Sequence, residues 1–198
     1  MNKPFSQACE NNKAPILAVL EQHLAGVSSL LEIGSGTGQH AAFFASRLPH
    51  LTWQASDQGQ HLPGIRVWQQ EADLPNLPPP LELDVNDWPW PVSETEAVFS
   101  ANTTHIMSWP SVKRLLAGVG RVLLPGGLFL LYGPFRYDGR HTSDSNAAFD
   151  RMLRERDPDS GVRDIEAVVL HADRAGLEVM ADHAMPANNR LLVWRRRS

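Results

Sequence analysis

"SSLLEIGSGTGQHAAFFASRLP", residues 28–49, carries the decision about the fold of this chain. The run "SLLEI" (29–33) is short, apolar and ended by glycine, the pattern of a strand buried on both faces. Gly34, Gly36 and Gly38 then alternate with small polar residues. From Gln39 to Leu48, Ala41, Phe44, Ala45 and Leu48 repeat at helical spacing, and Pro49 closes the segment. A glycine-rich corner between a buried strand and a helix lets a ligand approach the backbone closely and places it at a helix N-terminus.

The same alternation runs outward from this corner. Helices are expected at 14–25, 61–72, 110–122 and 165–175, the last capped by Asp164, with one more ending at Arg156. Strands are expected at 51–57, 81–85, 96–102 and 128–135, with "PGG" (125–127) as the turn before the last of these. "LEVMADHAM" and "NRLLVWRR" read as two closing strands joined around Pro186. Strands alternating with helices predict an α/β, doubly wound, Rossmann-like sheet that is mostly parallel. The closing pair departs from that alternation and predicts an antiparallel strand added at one edge. Residues 1–198 read as one domain, with 134–162 as an inserted polar segment over the carboxyl edge of the sheet, in the position of a lid.

Composition narrows the function. The chain has 198 residues, 42% hydrophobic and 20% charged, and a net charge of −4, which argues against a surface that must neutralise many phosphates. A lone cysteine, Cys9, excludes an intrachain disulfide and a cysteine metal cluster, and the eight histidines include no closely spaced ligand pair, so no metal is expected. No segment has the length and apolarity of a membrane span or a signal peptide, and a cytoplasmic location is the expectation.

In an open α/β sheet, ligands bind beyond the carboxyl ends of the strands. Asp57 stands at the end of the second strand, where a carboxylate can accept both hydroxyls of a ribose. Asp84 ends the third and can reach an adenine amino group. Glu32, inside an apolar strand, needs a partner: the glycine-loop backbone or a bound ammonium. A dinucleotide loop is Gly-x-Gly-x-x-Gly, but here the third glycine comes one residue early and Gln39 takes its place.

"LLEIGSGTG", followed by Asp57 and Asp84 in that order, resembles class I S-adenosylmethionine-dependent methyltransferases over nearly the whole chain, and "LLPGGLFLLYGPF" resembles their fifth-strand region. The resemblance implies a seven-stranded sheet with an antiparallel last strand and S-adenosylmethionine as cofactor. It implies a cofactor site at Glu32, Gly34, Ser35, Gly36, Gly38, Asp57, Asp84 and Asn102. "NNKAPILAVL", "SANTTHIMSW", "GPFRYDGRHTSDSNAAFDRMLRERDP" and "MPANNRLLVWR" are similar, more narrowly, to a small methyltransferase-like family without an assigned substrate, found in bacteria and animals. "SANTTHIMSW" departs from the Asn/Asp-Pro-Pro-Tyr motif of amine methylation on bases or glutamine. The expected acceptor is therefore a small molecule or peptide group.

The residues that would do chemistry are less determined. Candidates are His105 as a base near neutral pH, Tyr132, and Arg136, with Arg140 as a second guanidinium able to hold a carboxylate or phosphate. Asn11, Asn12 and Lys13 precede the first expected helix, either as caps or as a segment folded across the cofactor. Without a recognisable catalytic motif, a non-catalytic adenosyl-ligand-binding or partner-binding protein on the same fold is the alternative.

Overall fold

A computed structural model describes residues 3–198. Helix α1 (Gln7–His23) begins well before the expected position, because Ser6 caps it and accepts a hydrogen bond from the Cys9 N–H at 3.4 Å. Its first turns carry no apolar stripe, so periodicity registers only the second half, where Ile16, Val19 and Leu20 are buried. Strand β1 (Ser29–Ile33), α2 (Gln39–Arg47), β2 (Thr52–Asp57) and α3 (Leu62–Ala72) follow the sequence pattern closely. Strand β3 is only Leu81–Glu82. It stops short of the expected Val85 because the Asp84 carboxylate accepts the Asn86 N–H and turns the chain away from the sheet.

Strand β4 (Thr95–Ala101) and helix α4 (Trp109–Val122) lead into β5 (Leu123–Gly133). The "PGG" of 125–127 is no turn: it lies inside β5, where the register with β4 shifts between Thr95 and Ala97, so the glycines form an irregularity in a paired strand. Within the inserted polar segment, β6 (Phe135–Tyr137) and β7 (Arg140–His141) form and α5 (Asp144–Arg156) is the helix expected to end at Arg156; with β8 (Arg163–Asp164) the two strands make a small sheet ordered β7-β6-β8. Asp150 on α5 accepts the Val162 N–H at 2.7 Å, and Gly161 donates to the His105 carbonyl at 2.8 Å, which ties this segment to the residues after β4. Helix α6 (Ile165–Arg174), β9 (Leu177–Met185) and β10 (Asn189–Arg196) complete the order.

The main sheet runs β3-β2-β1-β4-β5-β10-β9. Pairs among β1 to β5 are parallel, and β10 is antiparallel to both its neighbours. The antiparallel strand therefore does not sit at the edge, as expected, but slots between β5 and β9. Its "LLVW" is buried throughout, which an edge position would not allow. One core lies under α1, α2 and α3 around Phe44, Trp53 and Phe99, whose ring centroids are 5.2 to 5.7 Å apart. A second lies under α4 and α6 around Leu115, Phe129, Val168 and Trp194. With both faces covered, the carboxyl edge of the parallel strands is left to build a site.

Candidate active site

Strand β1 delivers the chain into the glycine corner, and three backbone N–H bonds there hold it against β2. Gly34 and Ser35 both donate to the Ser56 carbonyl at 3.0 Å, and Gly36 donates to Asp57 Oδ2 at 2.7 Å. Gly34 has a φ of +76°, and a Cβ on it would stand 2.5 Å from Thr103 Cγ2. Gly36, at φ +58°, has no atom within 4 Å of where its Cβ would be, so the loop faces open space there. Gly38 does not face that space: a Cβ on it would lie 2.9 Å from the Ile65 backbone, so it lets α2 pack on α3.

Glu32 is fully buried and stands behind the loop rather than in the cavity wall. Its Oε2 accepts from Ser35 Oγ at 2.8 Å and Trp53 Nε1 at 2.9 Å. Burial pushes its carboxyl up to about 7, against the pull of these two donors. Ser35, which it fixes, does line the cavity.

Asp57 and Asp84 both line the cavity, joined by a residue the sequence did not single out. Gln58 donates its backbone N–H to Asp57 Oδ1 at 2.7 Å and its side-chain amide to Asp84 Oδ2 at 2.8 Å. The Asn86 backbone N–H, at 2.8 Å from Asp84 Oδ1, holds that carboxyl below its usual range. Asn102, directly after β4, has a φ of +59°, donates its N–H to the Tyr132 carbonyl at 2.9 Å, and also lines the cavity.

The cavity has a volume of about 750 Å³, within the range of small-molecule sites. Its opposite end lies at β4, β5 and β10. Tyr132 on β5 and Asn189 at the start of β10 line the cavity there with Asn12 of α1. Asn11 and Asn12 thus sit inside a helix rather than before one, and both line the cavity. Asn12 Oδ1 lies 2.7 Å from His40 Nε2, and burial lowers His40 to about 4, leaving it neutral.

His105 lines the cavity and packs edge-on against Phe149 of α5, with centroids 5.3 Å apart. Its Nδ1 is buried with no hydrogen-bond partner among the described residues. Burial, with a smaller push from Arg163, lowers its pKa to about 4, so it is not the near-neutral titrating group the sequence led us to expect. Arg136 is not in the cavity wall: it pairs with Asp164 Oδ2 at 2.6 Å in the small sheet. Arg140, on β7, is exposed and also outside it. His40, Phe149 and Asn189 carry no local signal, since each joins the site only through tertiary packing.

A mostly parallel seven-stranded sheet with its last-formed strand antiparallel, and a cavity at the carboxyl edge, is the class I methyltransferase fold. Residues 3–196 match the family described as "Protein of unknown function (DUF938)", and the chain belongs to that family. Among solved structures it is similar to an O-methyltransferase family protein from Burkholderia thailandensis, at 19% identity and a TM-score of 0.83, covering 94% of this chain and 56% of that one. It is similar to the mitomycin 7-O-methyltransferase MmcR, at 16% identity and a TM-score of 0.84, covering 96% and 54%. The human N-acetylserotonin methyltransferase in complex with SAM matches at 16% identity and a TM-score of 0.80, covering 97% and 53%. The chain thus spans little more than half the length of these structures, and the likeness is one of fold.

The residues present suit an adenosyl ligand. The loop is cleared at Gly36, two carboxylates stand in a row at successive strand ends, and backbone amides of the loop lie beside them.

Proposed function

We propose that this chain is an S-adenosylmethionine-dependent methyltransferase acting on a small-molecule acceptor. The observation that carries the proposal is the Asp57–Gln58–Asp84 row beside the open face of the glycine loop. Asp57 would hold the ribose hydroxyls, Asp84 the adenine amino group, and Gly34 to Gly36 the aminoacyl end, with Ser35 fixed from behind by Glu32. When bound, S-adenosylmethionine supplies a methyl group activated on a sulfonium. Asn102 marks the end of β4, where donor and acceptor halves of the cavity meet. His105, neutral at physiological pH, is the group able to take a proton from a hydroxyl acceptor. The Tyr132 hydroxyl and Asn12 would orient that acceptor.

Isothermal titration with S-adenosylmethionine and S-adenosylhomocysteine tests the cofactor; no heat and no thermal shift at millimolar ligand would sink the proposal. Transfer of label from tritiated donor tests the reaction. One observation favours the non-catalytic alternative: with its pKa near 4, His105 is a weak base. Cofactor binding with no labelled product from any cell-extract fraction would establish that alternative.

A further inference from the structure

The two ends of the cavity differ in charge, and the difference constrains the acceptor. Along the sheet edge, β2 and β5 are three strand positions apart, about 14 Å at ordinary strand spacing. The charged side chains of the described wall, Asp57 and Asp84, both belong to the β2–β3 end. No lysine or arginine lines the cavity among the described residues. Guanidiniums on the elements around this end are committed elsewhere: Arg136 to Asp164, Arg190, next to Asn189, to Asp182, and Arg163 to the carbonyls of Thr104 and Met107.

At the β4–β5–β10 end the wall offers side-chain amides, one phenol, two imidazoles and the edge of a phenyl ring. Both imidazoles are buried, at 5% exposure each, and burial keeps both uncharged. Such a wall can hydrogen-bond a hydroxyl or amide and stack a ring. It cannot compensate a carboxylate or phosphate, whose desolvation without a counter-charge is costly. His105 Nδ1, enclosed and unpartnered, adds a polar atom without a protein partner at the same end.

We infer that the acceptor is an uncharged, ring-bearing molecule held by hydrogen bonds from Asn12, Asn189 and Tyr132 against Phe149, and that anionic acceptors are excluded by the want of a lysine or arginine among the described residues of this wall. This rests on the methyltransferase reading, since it takes the β1–β3 end to be filled by the donor.

The test uses the full chain saturated with S-adenosylhomocysteine and three probes of one size: benzamide, benzoate and benzamidine. Their binding is read by saturation-transfer NMR with titration. Benzamide is expected to bind at least about tenfold more tightly than benzoate. Benzoate or benzamidine binding as well as benzamide, or no probe binding at all, would overturn the inference. Asn11→Arg, at an exposed position of α1 that lines the cavity, is expected to improve benzoate binding about fivefold and leave benzamide nearly unchanged. No gain for benzoate in that variant would place the probe outside this cavity and overturn the assignment. Failure of S-adenosylhomocysteine itself to bind refutes the methyltransferase reading instead, so the two failures are separable.

Discussion

At the β1–β2–β3 end of the cavity the wall is backbone amide and carboxylate, held rigid by bonds such as Gly36 to Asp57 at 2.7 Å. At the β4–β5–β10 end it is side-chain amide, phenol and imidazole, contributed by α1, α2, β5, α5, β10 and the turn after β4. The first end needs glycine and fixed negative charge because it presents main chain to its ligand. The second needs shape and uncharged donors, and many residue types can supply those. One end thus leaves little latitude in residue type, and the other leaves much.

The largest effect that can break this contrast lies at His105. His105→Asn is expected to lower labelled transfer about 100-fold or more while S-adenosylhomocysteine still binds. Because the folded imidazole titrates near 4, wild-type transfer should hold steady from pH 8 down to about pH 5; an acid limb near 6.5 would refute that environment.

Next come the two loop glycines, which separate fold from ligand. Gly34→Ala forces a left-handed alanine into Thr103 and should cost roughly 2–4 kcal/mol in denaturant titration. Gly36→Ala meets no protein atom, so about 1 kcal/mol of stability is expected to go, together with tenfold or more of cofactor affinity. Equal stability losses in the two would deny that Gly36 faces a ligand.

Glu32 gives a pH-dependent effect behind the glycine loop. Its folded pKa, about 7, lies above the unfolded 4.5, so the folded state holds the extra proton between them. Stability from this group is full below 4.5 and declines as pH rises to 7, by at most about 3 kcal/mol. Glu32→Gln should flatten that part of the melting-temperature profile, and profiles of equal slope would count against a buried, protonatable carboxyl. The smallest effect is expected from Arg136→Ala: a lowered melting temperature with unchanged binding of S-adenosylhomocysteine and of benzamide. Lost benzamide binding would put a cation back into the acceptor end.

The β1–β2–β3 end is legible in the sequence because each of its parts is local. A strand, its closing glycine and the acid that ends the next strand are read within a few residues of one another. Glu32 and Gly38 were found by the same pattern, although one braces Ser35 from behind and the other serves packing against Ile65. The short β3 and the bulged "PGG" within β5 escape the sequence pattern, since a carboxylate turn and a bulge carry no periodic signal. The acceptor end was mostly hidden. Asn12, His40, His105, Phe149 and Asn189 come from five separate stretches, and no spacing rule links them before the chain has folded. Arg136 and Arg140 were conspicuous by residue type, yet the small sheet directs both away from the cavity.

The place of β10 also sets a timetable for the chain as it is made. Strand β9 emerges from the ribosome first, but its one neighbour in the sheet is β10, which follows it. Until residues 189–196 are out, β9 has nothing to pair with and the far side of β5 stays bare, a tempting edge for another chain. Asn189 arrives with β10, so the nascent protein can complete the β1–β2–β3 end of the cavity while the opposite end still lacks part of its wall.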